Sequence, residues 1–223
     1  MHPVLEQWKY QTGRPERAIV IADGCRDLIV QREPEGADRW FLSPLQDCAR
    51  TVELGANVSM TGYRLRPGVL LDEAGLQRRP AAWPVTDGAV ADLLAEHCRV
   101  DPRLDDAIRA LSCRSATIAA TARILGVSLR TLERLFAGMG VKPPGFWHRL
   151  GRARRVAAGL SRQHSLADAA TEAGYADQAH MTREFKRWFD LTPAQIRSDQ
   201  SLRAMIDQTG LGTESTLVQT STR

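Results

Sequence analysis

Between Ile118 and Ile196 the chain writes one pattern of two short helices around a glycine turn twice over, and no other segment restricts the fold as tightly. In the first copy Ile118, Ala122 and Leu125 mark one helical face, Gly126-Val127-Ser128 breaks it, and Leu132, Leu135 and Phe136 mark a second face. The second copy has Leu166, Ala170 and Ala173, then Gly174-Tyr175-Ala176-Asp177, then Met181, Phe185 and Trp188. Apolar residues at i, i+4 and i+7 place one stripe on each helix, and glycine tolerates the positive φ needed just past a helix end. Ser128 and Asp177 supply the side-chain oxygen that caps the helix after each turn.

The copies keep register. Ile118 to Leu166, Ala122 to Ala170 and Gly126 to Gly174 are each 48 apart, whereas Leu132 to Met181, Arg134 to Arg183 and Phe136 to Phe185 are each 49 apart. Pro143 and Pro193 close the units 50 apart, each with an apolar residue three positions on, Phe146 and Ile196. The drift falls in the turns, where insertion is tolerated. Two helices joined by a short glycine turn form the unit that sets its second helix into a DNA major groove.

The run from Gly174 through Pro193 resembles the signature of the AraC/XylS family of transcription regulators, and Leu125 through Phe136 resembles that family's first helix-turn-helix. The resemblance spans about Asp101 to Ser198, and paired motifs at this separation are far more specific than a single helix-turn-helix. One departure is Phe136-Ala-Gly-Met-Gly140, which is a residue shorter than the family pattern, with Gly138 weakening the end of the first recognition helix.

Charge divides the chain. Residues 1–100 carry 12 basic against 14 acidic side chains, and residues 101–200 carry 16 against 10, so the basic half is the half with the repeated pattern. That is the distribution expected of a surface that meets phosphate. Nearly all of the positive charge is arginine, whose planar fork suits phosphates and guanine edges. No run approaches the ~20 apolar residues of a membrane span, and the N-terminus lacks a signal-peptide pattern, so the expectation is a cytoplasmic protein with no membrane partner. Cys25, Cys48, Cys98 and Cys113 form no C-x-x-C pair. Neither a disulfide framework nor a metal site is expected, and free buried thiols are the plain reading.

The expected fold class is mixed: a small β-rich N-terminal domain followed by an all-α domain with two helix-turn-helix motifs joined by a linker helix. Residues 1–75 are assigned to the β-rich effector- or partner-binding domain, 76–100 to a linker and amphipathic helix, 101–198 to the DNA-binding domain, and 199–223 to a polar, disordered tail. In the front part, Ala18 to Ile21 and Asp27 to Val30 flank Asp23-Gly24, a hairpin-turn signal. Trp40 to Leu42, Thr51 to Leu54 and Ser59 to Leu65 are further strands. The runs Ala22 to Ile29 and Gly62 to Gly68 resemble a small β-rich domain found before some AraC-type DNA-binding domains. Gly75 to Gly88 is the linker, and Val90, Leu93, Leu94 and Cys98 lie on one face of a short helix. Pro102 opens a helix with Leu104, Ile108 and Leu111 inward. In the connecting helix, Phe146, Leu150, Ala153, Ala157 and Leu160 share a face, with Arg149, Arg152 and Arg155 elsewhere.

The face opposite each core stripe points into the groove. For recognition helices at about 129–137 and 178–189, that face holds base-contact candidates Arg130, Glu133 and Arg134, and Gln178, Ala179, Thr182 and Arg183. Arginine can bond guanine bidentately, glutamine can pair with adenine, glutamate can accept from cytosine, and alanine can meet a thymine methyl. Members of the family read bases from the matching positions. Ser128, Thr131, His180, Lys186 and Arg187 are candidates for phosphate contact, and Asp177 for a cap alone. Glu133 is equally readable as a local partner of Arg130 or Arg134.

The reading is therefore a sequence-specific regulator of transcription that binds double-stranded DNA, with no cofactor and no enzyme activity. A contact with RNA polymerase, a small-molecule effector and a homodimer stay open, and no effector-binding residue is assigned. The competing reading is an enzyme with Cys25 as nucleophile and His2 or His97 as base, which rests on residue type alone because no nucleophile elbow, phosphate loop or metal pair is present.

Overall fold

The computed structural model describes residues 1–32, 38–78, 86–113, 117–162, 164–207 and 210–211. The front part is β-rich and the rest is helical. Strands β1 (Val4–Gln11), β6 (Ser59–Leu65), β3 (Arg26–Arg32) and β4 (Arg39–Leu42) form an antiparallel sheet in the order β1-β6-β3-β4. β2 (Glu16–Val20) and β5 (Arg50–Leu54) make a separate antiparallel ribbon, and β7 (Leu70–Leu71) pairs with β8 (Cys98–Arg99). Alternation along β3 buries Leu28 and Val30, which pack with Tyr63 and Leu65 of β6. Period-two placement of apolar residues on one sheet face is what produces such a layer.

The hairpin expected across Asp23-Gly24 is not formed. β2 pairs with β5 and β3 pairs with β4 and β6, so residues 22–25 cross from one sheet to the other. The Asp23 carboxylate accepts the Cys25 N–H at 2.9 Å, and Gly24 has φ +81°. A Cβ there would stand 2.8 Å from Leu211 Cβ. Ala22 is wholly buried in the helical core, so the crossover is drawn into that core rather than turned back on itself.

The helix expected beside a linker is α2 (Asp87–His97), after the short α1 (Glu73–Gln77). Val90, Leu93 and Leu94 of α2, the apolar face expected of an amphipathic helix, are buried with Leu28 and Leu65, so α2 completes the sheet's core. Residues 79–85 of the expected linker lie outside the described residues. The tail reading also needs correction: α10 (Gln200–Ile206) follows the expected end of the helical part, and Ile206 and Leu211 are buried. Their apolar side chains find a place in the core despite the polar sequence around them. Residues 213–222, the Ser/Thr-rich stretch, lie outside the described residues.

The helical part runs α3 (Pro102–Cys113), α4 (Ile118–Ile124), α5 (Leu129–Gly138), α6 (Pro144–Gly159), α7 (Leu166–Glu172), α8 (Gln178–Phe189), α9 (Pro193–Ser198) and α10. α6 is its axis. Phe146, Leu150, Ala153, Ala157 and Leu160 are all buried, as the stripe requires, together with Trp147. Phe136 comes from α5, and Phe185, Trp188 and Phe189 from α8. α6 and α9 each begin with a proline at the first helical position, Pro144 and Pro193, which are 49 apart. The repeat register of 49 thus carries through to the closing helices, in place of the 50 set by Pro143.

A buried polar knot ties the two parts. Arg64 Nη2 lies 3.2 Å from Asp23 Oδ2 and its Nε 3.2 Å from Asp27 Oδ1. Arg154 of α6 is only 3% exposed, and its Nε donates to the Leu211 carbonyl at 2.8 Å. The Leu211 N–H in turn donates to the Asp23 carbonyl at 2.8 Å. Burial lowers the affinity of Arg154 for its proton and raises that of Asp23, while the opposite charges counter both effects.

Candidate nucleic-acid interface

The two turns are copies at the level of hydrogen bonds. After α4, the Gly126 N–H donates to Arg123 O and the Val127 N–H to Ala122 O; after α7, Gly174 donates to Thr171 O and Tyr175 to Ala170 O. Gly126 and Gly174 have φ +68° and +73°, the left-handed region in which a side chain is strained. The extra residue of the second turn, Ala176, sits between this shared pattern and the next cap. Ser128 Oγ then accepts the Thr131 N–H at 3.1 Å, and Asp177 Oδ1 accepts the His180 N–H at 2.6 Å. α5 and α8 therefore leave their turns in the same way.

Each helix buries the stripe the sequence assigns to it. Leu132 and Phe136, and Met181, Phe185 and Trp188, are at most 1% exposed, and Leu135 is partly buried. On the other side Arg130, Thr131, Glu133 and Arg134 are exposed, as are Gln178, Ala179, Arg183, Lys186 and Arg187. Thr182 and His180 are partly covered. Among the described residues Glu133 makes no ion pair with Arg130 or Arg134. Arg134 and Arg183 project from equivalent places on the two helices.

Several candidates have local partners. The Thr182 hydroxyl donates to Gln178 O at 2.9 Å, leaving its methyl and lone pairs for a ligand. Ser128 Oγ lies 2.8 Å from Thr131 Oγ1. His180 Nδ1 accepts the Ala176 N–H at 3.3 Å, and Lys186 Nζ donates to Asp190 O at 3.0 Å. Arg187 has two neighbours: its Nε donates to Asp47 O at 3.1 Å and its guanidinium lies 4.9 Å from the Trp188 ring centroid.

A residue the sequence reading left unassigned positions the second unit. Arg152 of α6 donates from Nη1 to Gly174 O and from Nη2 to Glu184 Oε2, both at 3.1 Å, with its guanidinium 4.0 Å from the Tyr175 ring centroid. Burial, with Glu184 beside it, raises the Tyr175 phenol well above its ordinary range. One side chain of the connecting helix thus pins the turn and the recognition helix together. The arginine alone carried no such signal; the pairing of α6 with a glycine turn far along the chain had to be seen in space.

The alternative built on Cys25 is not assembled. Cys25 is 3% exposed, and burial beside Asp23 pushes its thiol well above the ordinary value. His97 Nδ1 lies 3.3 Å from Asp72, and His2 Nδ1 accepts from the Val4 N–H at 3.2 Å. The expectation of buried thiols fits Cys25, but Cys48 and Cys113 are exposed and Cys98 is partly buried. Among the described residues there is no group of three metal-ligating side chains, and no helix is long and apolar enough to cross a membrane.

Paired helix-turn-helix units with basic, exposed second helices define a DNA-binding regulator of transcription. Residues 121–199, roughly a third of the chain, match the family model of a helix-turn-helix domain. Among solved structures the chain is similar to a transcriptional regulator with an AraC-type DNA-binding domain from Chromobacterium violaceum, at 26% identity over 49% of this chain and 96% of that one, with a TM-score of 0.35. It is also similar to ToxT from Vibrio cholerae O395, at 8% identity over 86% of this chain and 96% of that one, TM-score 0.43. The unsaturated fatty acid-bound form of wild-type ToxT from strain SCE256 has 10% identity over 85% and 93%, TM-score 0.41. No curated protein matches the chain.

Proposed function

We propose that this regulator sets α5 and α8 into successive major-groove segments on one face of duplex DNA. Arg130, Glu133 and Arg134, and Gln178, Ala179, Thr182 and Arg183, then face base edges, while Ser128, Thr131, His180, Lys186 and Arg187 face the phosphate backbone. The observation that carries this reading is the congruence of the two units: the same turn bonds, the same cap geometry and an exposed arginine at the same place, Arg134 and Arg183. Recognition helices one turn apart along a groove face require half-sites about 10 base pairs apart.

Selection of bound sequences from a random duplex pool tests it. The expected result is a site with two conserved blocks separated by about one helical turn. A single short block would assign base reading to one helix alone. Two copies of the paired block would mean a homodimer. Contact with RNA polymerase and a cytoplasmic location belong to this same reading.

A second reading concerns the front part, as a sensor of a small molecule. It rests on a cleft of about 620 Å³ between the two parts, with Arg66, Arg99, Val69 and Leu70 on one side and Val141 and Lys142 on the other. Arg66, Arg99 and Lys142 among apolar side chains suit an organic anion, the one carboxylate of the lining, Glu73, being paired with Arg26. Thermal-shift measurements with dodecanoate and benzoate test this: a concentration-dependent rise in Tm that Arg99→Ala abolishes supports it, and no rise with either acid removes it.

A further inference from the structure

The two recognition helices end differently. The last carbonyls of a helix have no partner inside it and must be satisfied from elsewhere. α5 closes on itself: the Met139, Gly140 and Val141 N–H groups donate to Leu135, Ala137 and Phe136 carbonyls, with Gly140 at φ +66°. That is the self-contained glycine ending. α8 has no glycine at this point. Asp190 takes the left-handed position at φ 56°, and its N–H satisfies only Lys186 O. The next two carbonyls are taken by the front part: the Ala49 N–H donates to Arg187 O at 2.8 Å, and the Ala22 N–H to Trp188 O at 2.9 Å.

These two donors are built in. Ala22 is wholly buried within the helical core, with Ile21 and Leu45 packed against it. Around Ala49, Asp47 makes two further ties, its carbonyl accepting Arg187 Nε at 3.1 Å and its carboxylate lying 3.4 Å from Lys142 Nζ. Lys142 belongs to the connection between α5 and α6. One loop residue therefore touches both helix-turn-helix units, and the crossover 21–25 and the loop 43–49 hold the end of the second recognition helix from two sides.

We infer that the front part is the C-terminal cap of α8, so that base reading by the second unit, unlike the first, depends on the front part staying docked. The inference rests on the reading of α8 as a base-reading helix. It makes the front part a necessary piece of the DNA-reading surface rather than a detachable one. Displacement of the crossover or of the loop withdraws backbone donors from the end of α8, whereas the end of α5 keeps its own.

Two experiments on the full-length chain test it. In the first, hydrogen exchange is followed residue by residue in the wild type, free and bound to its selected duplex. The Ala22 and Ala49 amides are expected to exchange as slowly as the amides in the second half of α8, and to stay protected on DNA. If they exchange like open loop amides, or lose protection on DNA binding, the cap is wrong. In the second, Ala49→Pro removes one donor. For a variant that keeps the wild-type circular dichroism, affinity is expected to fall about tenfold or more, with base preference lost in the α8 block and kept in the α5 block. Wild-type preference in both blocks, or equal loss in both, overturns the inference. A wild-type protein that selects no α8 block defeats the reading beneath it instead.

Discussion

The guanidinium of Arg152 stands 3.1 Å from Glu184 Oε2, and both side chains are almost fully covered, at 11% and 12% exposure. This pair joins the connecting helix to the second recognition helix, and Arg152 also holds the turn through Gly174 O. Removing one partner of a covered pair leaves the other charge without compensation, at a cost of about 3 kcal/mol or more. Arg152→Ala is expected to lower the free energy of urea unfolding by that amount. In a site-library assay the same variant should blur base preference in the α8 block before the α5 block. Unchanged unfolding would mean that the pair contributes nothing net.

Arg134→Ala and Arg183→Ala are each expected to remove about 1–3 kcal/mol of discrimination at one defined base step. Lys186→Ala should weaken binding to all sequences alike and reduce its salt dependence by about one unit of slope. Binding profiles across a site library at two salt concentrations separate the outcomes. Two arginine variants with wild-type preference would place those side chains on phosphates.

A side chain at Gly174 would meet nothing within 4 Å, so its replacement by alanine changes backbone energy alone. With φ at +73°, Gly174→Ala is expected to cost about 1–2 kcal/mol of stability, read by urea unfolding. Gly126→Ala at φ +68° should cost the same, because the two turns share their bonds. A large difference between them would break the equivalence of the units.

The four thiols should divide by exposure. Cys48 and Cys113 are exposed and are expected to react at once with a thiol reagent, whereas the partly buried Cys98 should react more slowly and the buried Cys25 only on unfolding. Burial raises both of the latter, Cys98 to about 11. A thiol whose proton is held more tightly in the folded chain adds stability below its ordinary value of 9.0, and that contribution is lost as pH rises beyond it. Tm should therefore fall above about pH 9, less so in Cys25→Ser. That substitution itself is expected to cost about 1–3 kcal/mol at neutral pH. Rapid labelling of Cys25 in the folded protein would contradict this account.

The helical part was legible in the sequence because each of its signals is local. Gly126, Ser128, Gly174 and Asp177 are read by their neighbours within a few residues, and the i, i+4, i+7 stripes report burial without reference to distant chain. The front part was less so. Ile19 and Ile29 look alike as strand residues, but which strand each pairs with depends on contacts the sequence does not encode locally, and Asp23-Gly24 satisfied a turn rule while the crossover it belongs to was drawn into another core. α2 was legible as an amphipathic helix, but its stripe of Val90, Leu93 and Leu94 says that something covers it, not that the sheet does. The bonds of Arg154 and Arg187 to main-chain carbonyls far away in sequence, Leu211 and Asp47, carry no local signal.

The buried Arg154 bears on how such a protein can be recombined. A chimera that splices residues 101–199 behind a foreign sensor would keep this arginine at the centre of α6 but discard Asp23, the opposite charge in its surroundings, and the Leu211 carbonyl its Nε bonds. The graft would lose groups that bury this arginine and counter its charge. A hybrid that keeps this arginine in its native surroundings therefore carries the crossover 21–25 and the segment through Leu211 along with the helices, so that its seam runs through the front sheet rather than along the edge of the DNA-binding domain.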